Sequence, residues 1–278
     1  MSDPETGWRI LNWVWERKDE VGRKLADLAA WFRGKKEDDR GILIIGPGGT
    51  GKTTLARILS GEYDWLKDSP WEYRESASVE SYGLSDDPKT QLVVPPGQSH
   101  RRGSTWADLQ TDLAVGRYRG VILLAAYGYH NLSQSYKVHP LYKGNKAEFL
   151  DAYLADCQAD ERRLLDHIGN AIRICPKKMW LFTIVTKQDL WVSSEAAVVE
   201  YYTQGGWRDA ITGLAVGKGP RLFRSELLFA SLVICNFDSP AAERLRKNTE
   251  GYDQKAQIEK LRRVFEVLDA LRRWEEGS

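Results

Sequence analysis

The nine residues GPGGTGKTT, Gly46 to Thr54, constrain this chain more than any other stretch. They fit the pattern G-x-x-x-x-G-K-[ST]. They follow the apolar run GILIIG (Gly41 to Gly46) directly and lead straight into the helix-forming run TTLARILSG. Gly46, Gly48, Gly49 and Gly51 let backbone N–H groups curl around an anion, and the N-terminus of the next helix adds its dipole. Lys52 would reach the β- and γ-phosphates of a nucleotide as a point charge. Thr53 would offer its hydroxyl to Mg²⁺, a cation that takes oxygen ligands and keeps several waters. Thr50 and Thr54 lie in the same loop and join the candidate nucleotide-binding set. A strand before and a helix after are the context this motif needs.

The rest of the chain supplies matching elements. SVESYGL and KTQLVV bracket the turn SDDP, which predicts a hairpin. GVILLAAYG (Gly120 to Gly128), MWLFTIVT and ELLFASLVI read as further buried strands, with a helical pattern from Lys146 to Ala171. Ile258, Leu261, Phe265, Leu268 and Leu271 mark a closing helix, and an amphipathic helix is expected from Trp8 to Phe32. Strands alternating with helices call for a mostly parallel sheet covered on both faces. The fold class is therefore α/β, a three-layer P-loop NTPase fold with one antiparallel edge strand and added N- and C-terminal helices. The expected division is 1–40 for the N-terminal helix and its charged linker, 41–237 for the nucleotide-binding domain, and 238–278 for the C-terminal helix. An insertion is expected near 130–178.

Composition removes some classes. Forty basic against thirty-nine acidic residues give a net charge of +1, without the basic stripe of a nucleic-acid binder. The three cysteines, Cys157, Cys175 and Cys235, are scattered and form neither a zinc spacing nor a disulfide framework. No run of apolar residues is long enough to span a membrane, and MSDPETGW lacks a signal pattern. A soluble protein of the reducing cytoplasm is expected.

Two further motifs choose among P-loop proteins. TKQD, Thr186 to Asp189, follows a buried strand and resembles the guanine-reading motif [NT]-K-x-D of the translation-factor and Ras-related GTPases. A carboxylate at Asp189 can accept both the ring N–H and the exocyclic amino group of guanine, a donor pair that adenine lacks. The stem of Lys187 can cover the base, and Thr186 stands where asparagine is commoner. After the hairpin, the D-x-x-G-Q corner of Ras-like GTPases corresponds to Val94, Pro95, Pro96, Gly97 and Gln98. The resemblance implies that Gly97 senses the γ-phosphate and Gln98 orients the attacking water. Val94 replaces the acid that holds Mg²⁺ through water. The bacterial gliding-motility group of Ras-like GTPases also has a non-acidic residue there, followed by x-P-G-Q, and VPPGQ is similar to that variant. Ser76 takes the place of the switch threonine toward Mg²⁺. The S-A-K element should follow the final strand; LLFASLVICN offers Ala230 and Ser231 for it, without the basic member.

The implied activity is that of a Ras-like GTPase, with GTP or GDP and Mg²⁺ bound and slow hydrolysis. Its partner would be a protein met through the switch segments or the added helices, or a second copy of the chain. Two alternatives stay open. The wording of the phosphate loop also resembles AAA and STAND ATPases, although neither GVILLAAYG nor MWLFTIVT ends in their acidic pair. Val94 would also suit a nucleotide-bound scaffold without turnover.

Overall fold

The computed structural model describes residues 40–62, 78–84, 87–97, 99–240 and 243–277. The expected N-terminal helix, Ser76 and Gln98 lie outside the described residues. In chain order the elements are β1 (Gly41–Ile45), α1 (Lys52–Ser60), β2 (Glu80–Leu84), β3 (Asp87–Val94), α2 (Ser99–Val115), β4 (Tyr118–Ala125) and α3 (Lys146–Ile174). There follow β5 (Met179–Val185), α4 (Gln188–Trp191), α5 (Glu195–Thr203), α6 (Gly205–Lys218), β6 (Phe223–Phe229), β7 (Phe237–Asp238), β8 (Arg244–Arg246) and α7 (Gln254–Glu276).

Six strands form one sheet in the order β2-β3-β1-β4-β5-β6, with β2 antiparallel to β3 and every other pair parallel. β1, β4 from Gly120 onward and β5 are apolar apart from Thr183, because these strands are buried at every residue. A parallel sheet with helices on both faces leaves no strand side for polar groups. The two-residue period then sorts the side chains. Leu43, Ile45, Val121, Leu123, Leu181 and Val185 face one core with residues of α2, α3, α5 and α6. Ile42, Ile44, Ile122, Leu124, Trp180 and Phe182 face a second core with Leu55 and Leu59 of α1 and Leu261, Phe265 and Leu268 of α7. This is the three-layer P-loop NTPase fold, and α7 is built into its second helical layer.

Two strand boundaries differ from the apolar runs. β4 stops at Ala125, and the chain turns through Gly128 at a φ of 82°. β6 starts at Phe223 and stops at Phe229, rather than running from Glu226 to Ile234. Ala230 still donates its N–H to the Val185 carbonyl at 3.0 Å. The next residue, Ser231, turns its hydroxyl toward Asp189, which ends the ladder. Leu232 and Ile234 are apolar because they are buried in the loop beyond, not because they extend the strand.

The lower end of the sheet is tied to α7 by charge. Arg40 donates to Glu275 Oε1 at 2.9 Å, and buried Arg119 donates Nε–H to the Arg40 carbonyl at 3.1 Å. Arg119 Nη1 lies 3.9 Å from Glu275 Oε2. Removing the carboxylate leaves two guanidinium groups in a site of low polarity. Glu275→Ala is expected to lower the unfolding free energy by about 3 kcal/mol, read from denaturant titration. Among the described residues no helix is long and apolar enough to cross a membrane.

Candidate nucleotide-binding site

The phosphate loop leaves β1 at Gly46 and enters α1 at Lys52. Gly51, the residue before the helix, has a φ of 98°, and no side chain caps the first turn. Gly49 is glycine for two reasons. Its φ is 73°, and a Cβ there would lie 2.4 Å from the Asn131 backbone nitrogen. Thr50 Oγ1 and Lys52 Nζ each donate to the Pro47 carbonyl at 3.0 Å. The ammonium is thus already folded back over the loop where phosphate oxygens would sit. Thr53 Oγ1 donates to Glu80 Oε2 at 3.0 Å.

The TKQD segment is joined to this loop. Thr186 Oγ1 is within hydrogen-bond distance of two carbonyls, Thr50 at 2.9 Å and Ala125 at 3.0 Å. One hydroxyl therefore braces the end of β5 against the phosphate loop and the end of β4. Lys187 takes a left-handed conformation, φ 58°, which swings its side chain across the site. Its ammonium donates to Asn131 Oδ1 at 2.5 Å and lies 5.7 Å from the centre of the Phe237 ring. Burial lowers the Lys187 pKa from 10.5 to about 8.

Asp189 is buried, and burial raises its pKa from 3.8 to about 6 against the pull of its hydrogen bonds. Ser231 donates its hydroxyl to Oδ1, and Cys235 donates its N–H to Oδ2 at 3.0 Å. The Ser231 oxygen also accepts the Asp189 N–H at 2.9 Å. Ser231 therefore meets Asp189 rather than open space, and the loop after β6 closes over the carboxylate.

The loop after β4 was not marked by any motif, yet it lines the same site. Its anchor is Glu161 of α3, which is fully buried. Oε1 accepts the Ala126 N–H at 2.8 Å and the Gly128 N–H at 3.1 Å, and it lies 2.9 Å from His130 Nε2. Tyr202 donates to Oε2 at 2.6 Å. Burial alone would lower the His130 pKa, but Cys157 and the Glu161 carboxylate outweigh it and raise it from 6.5 to about 9. This node fixes the turn that carries Asn131 to Gly49 and Lys187. A cavity of about 260 Å³ opens beside it, lined by Gly48, Gly97, Asn131, Gln134, Asp160 and Arg163.

Gly97 presses on the phosphate loop from the other side. A Cβ on it would lie 2.1 Å from Lys52 Nζ and 2.8 Å from both the Gly46 carbonyl oxygen and the Gly48 nitrogen. Two prolines before it stiffen the approach. Gly97→Ala is expected to push the segment off the loop. Where a triphosphate fills the loop, this displacement is expected to cost about tenfold in its affinity, or about 1.4 kcal/mol, measured by comparing triphosphate with diphosphate affinity in the variant. Val94, three residues earlier, is fully buried in the second core and offers no oxygen. The side chains of His100, Arg101 and Arg102 lie outside the described residues.

No protein-family model matches the chain, and no curated protein matches it. Among solved structures it is similar to an ADP-ribosylation-factor-like GTP-binding protein, a small COPII coat GTPase from Encephalitozoon cuniculi in complex with GDP. That likeness has 12% identity over 96% of both chains and a TM-score of 0.43. The mammalian SRP receptor follows with 15% identity over 69% of this chain and 92% of that one, TM-score 0.38. The signal recognition particle receptor SRb with GDP from Chaetomium thermophilum has 14% identity over 72% and 91%, TM-score 0.37. With all three TM-scores below one half, the functional reading rests on the site itself.

Proposed function

We propose that this chain is a Ras-like P-loop GTPase that binds GTP with Mg²⁺, hydrolyses it slowly and signals its nucleotide state to a protein partner. The observation that carries this reading is the hydrogen bond from Thr186 to the Thr50 carbonyl at 2.9 Å. It makes the phosphate loop and the Lys187–Asp189 segment one unit, so a single nucleotide can meet both. Gly46, Gly48, Gly49, Thr50, Gly51 and Thr54 would form the phosphate cradle, and Lys52 would hold the β- and γ-phosphates. Lys187 would cover the base, with Asp189 accepting its donors and Ser231 orienting the carboxylate.

Thr53 would hold Mg²⁺, with Ser76 as the switch hydroxyl. An oxygen-only donor set fits this hard cation. Among the described residues no group of three or more His, Cys, Asp or Glu forms a metal site, and phosphate oxygens and water would complete its shell. When bound, the cation supplies positive charge against the β- and γ-phosphates. Gln98 would orient the attacking water, and Gly97 would sense the terminal phosphate through its N–H. The segment from Pro95 onward then reports the nucleotide to a partner protein, or to a second copy of the chain.

One observation favours a second reading, a nucleotide-bound scaffold without turnover. Both Asp189 oxygens already accept hydrogen bonds from the chain, so the carboxylate can serve as a loop clamp. The AAA or STAND reading draws no such support, since β4 ends in Leu124 and Ala125 where those ATPases carry an acidic pair. Single-turnover hydrolysis of GTP separates the first two. Slow phosphate release that Gln98→Ala abolishes is the expected result; tight GTP binding with no release supports the scaffold.

A further inference from the structure

We propose that Glu80, on the edge strand β2, supplies the acid that Val94 lacks, orienting Thr53 toward Mg²⁺ and accepting a hydrogen bond from metal-bound water. This assignment rests on the GTPase reading above.

The hairpin register makes the substitution geometric. Glu80 is the residue paired with Val94 across the antiparallel β2–β3 ladder. Residues directly opposite in such a ladder point to the same face of the sheet. Val94 points into the core shared with α1. Glu80 therefore points to the α1 side as well, near the sheet edge where the strand enters the hairpin. From there its carboxylate reaches the first turn of α1 and accepts the Thr53 hydroxyl at 3.0 Å. Tyr82, two residues on and so on the same face, donates to the same oxygen at 2.8 Å and fixes the carboxylate rotamer.

A hydroxyl that coordinates a cation must aim a lone pair at the metal and send its proton elsewhere. Thr53 sends its proton to Glu80, which is the orientation a metal-bound threonine needs. Outer-shell acceptors of this kind set ligand direction and raise ligand basicity. A carboxylate hydrogen-bonded to Thr53 would also offer an acceptor to a water of a Mg²⁺ held by that hydroxyl, since Mg²⁺ keeps several waters. The acid that the β3 position lacks is thus provided from the neighbouring strand, with the apolar core around Val94 undisturbed. If Glu80 served only to tie β2 to α1, its loss would weaken the fold without altering metal dependence.

The test uses the full chain and Glu80→Gln, which keeps shape and removes charge. Dissociation of a fluorescent GDP analogue is followed across Mg²⁺ concentrations, and bound Mn²⁺ is counted by electron paramagnetic resonance. The variant is expected to need about tenfold or more Mg²⁺ to retain the nucleotide and to bind Mn²⁺ about tenfold more weakly. Its nucleotide affinity in EDTA and its thermal midpoint without nucleotide should match the parent. An unchanged Mg²⁺ dependence overturns the assignment while leaving the GTPase reading intact. An equal loss of nucleotide with and without Mg²⁺ also overturns it and reduces Glu80 to a structural tie. If the parent binds no guanine nucleotide under any condition, both readings fail together.

Discussion

Asp189→Asn is expected to exchange a preference for guanine nucleotides for a preference for xanthine nucleotides. An ionised carboxylate presents only acceptors, matching the N1–H and 2-amino donors of guanine. The amide presents one acceptor and one donor, matching the N1–H and 2-oxo group of xanthine. Against the amide, guanine sets a donor beside a donor in a buried site. Mismatches of this kind cost roughly 10⁴-fold in affinity. The surroundings of Asp189 add a pH signature. Burial raises its pKa to about 6, above the 3.8 of the free side chain. The unliganded fold therefore favours the protonated acid, and this group's contribution to stability falls as pH rises from 3.8 through 6. A ligand with two N–H donors needs the ionised form, so guanine affinity should climb as pH rises through about 6 and level off above it. The Asn variant should lose that pH dependence. Competition binding with GTP and XTP at several pH values reads both effects. An unaltered base preference in the variant would assign Asp189 to the loop clamp alone.

Lys52→Ala is expected to remove most of the triphosphate affinity while leaving the fold in place. Lys52 is buried, and its ammonium donates to a backbone carbonyl of its own loop, Pro47, at 3.0 Å. That contact holds the side chain over the anion site rather than supporting the core. Hydrogen bonds to a charged partner contribute about 1.5–3 kcal/mol each. Two such bonds, one to each of the β- and γ-phosphates, amount to roughly 3–6 kcal/mol, or on the order of 10²- to 10⁴-fold in Kd. Calorimetric titration with GTP and a melting curve without it should show lost affinity at an unchanged midpoint. A variant that binds GTP as the parent does would place the triphosphate elsewhere.

Much of the frame was legible because each element carried a local signal. β1, the Gly120–Ala125 part of β4 and, apart from Thr183, β5 are apolar runs, and the phosphate loop has a fixed spacing between a strand and a helix. The closing helix keeps its stripe at Leu261, Phe265, Leu268 and Leu271, all of them buried. What stayed hidden depends on contacts between distant residues. Glu80 acquires meaning only through its register with Val94, and no local pattern fixes a hairpin register when the turn residues are not of the tightest type. Asn131 sits in a loop whose course is set by Glu161, a residue that reads as an ordinary helix-surface acid until its four partners are seen. The helices α5 and α6 went unread because Gly205 and Gly206 interrupt the stretch and their buried residues, Val198, Tyr202, Trp207 and Leu214, are too sparse for a stripe. The overlong strand at β6 has the opposite cause. Its apolar run continues past Phe229 because the loop over Asp189 is itself buried, and burial without a ladder leaves the same composition.

The guanine site is the claim on which the rest depends, and equilibrium binding of GTP and of ATP to the unaltered full chain with Mg²⁺ tests it most directly. The account predicts that GTP binds at least roughly 10³-fold more tightly than ATP, because only guanine supplies the pair of N–H donors that an ionised Asp189 accepts. Equal affinities for the two nucleotides would contradict it.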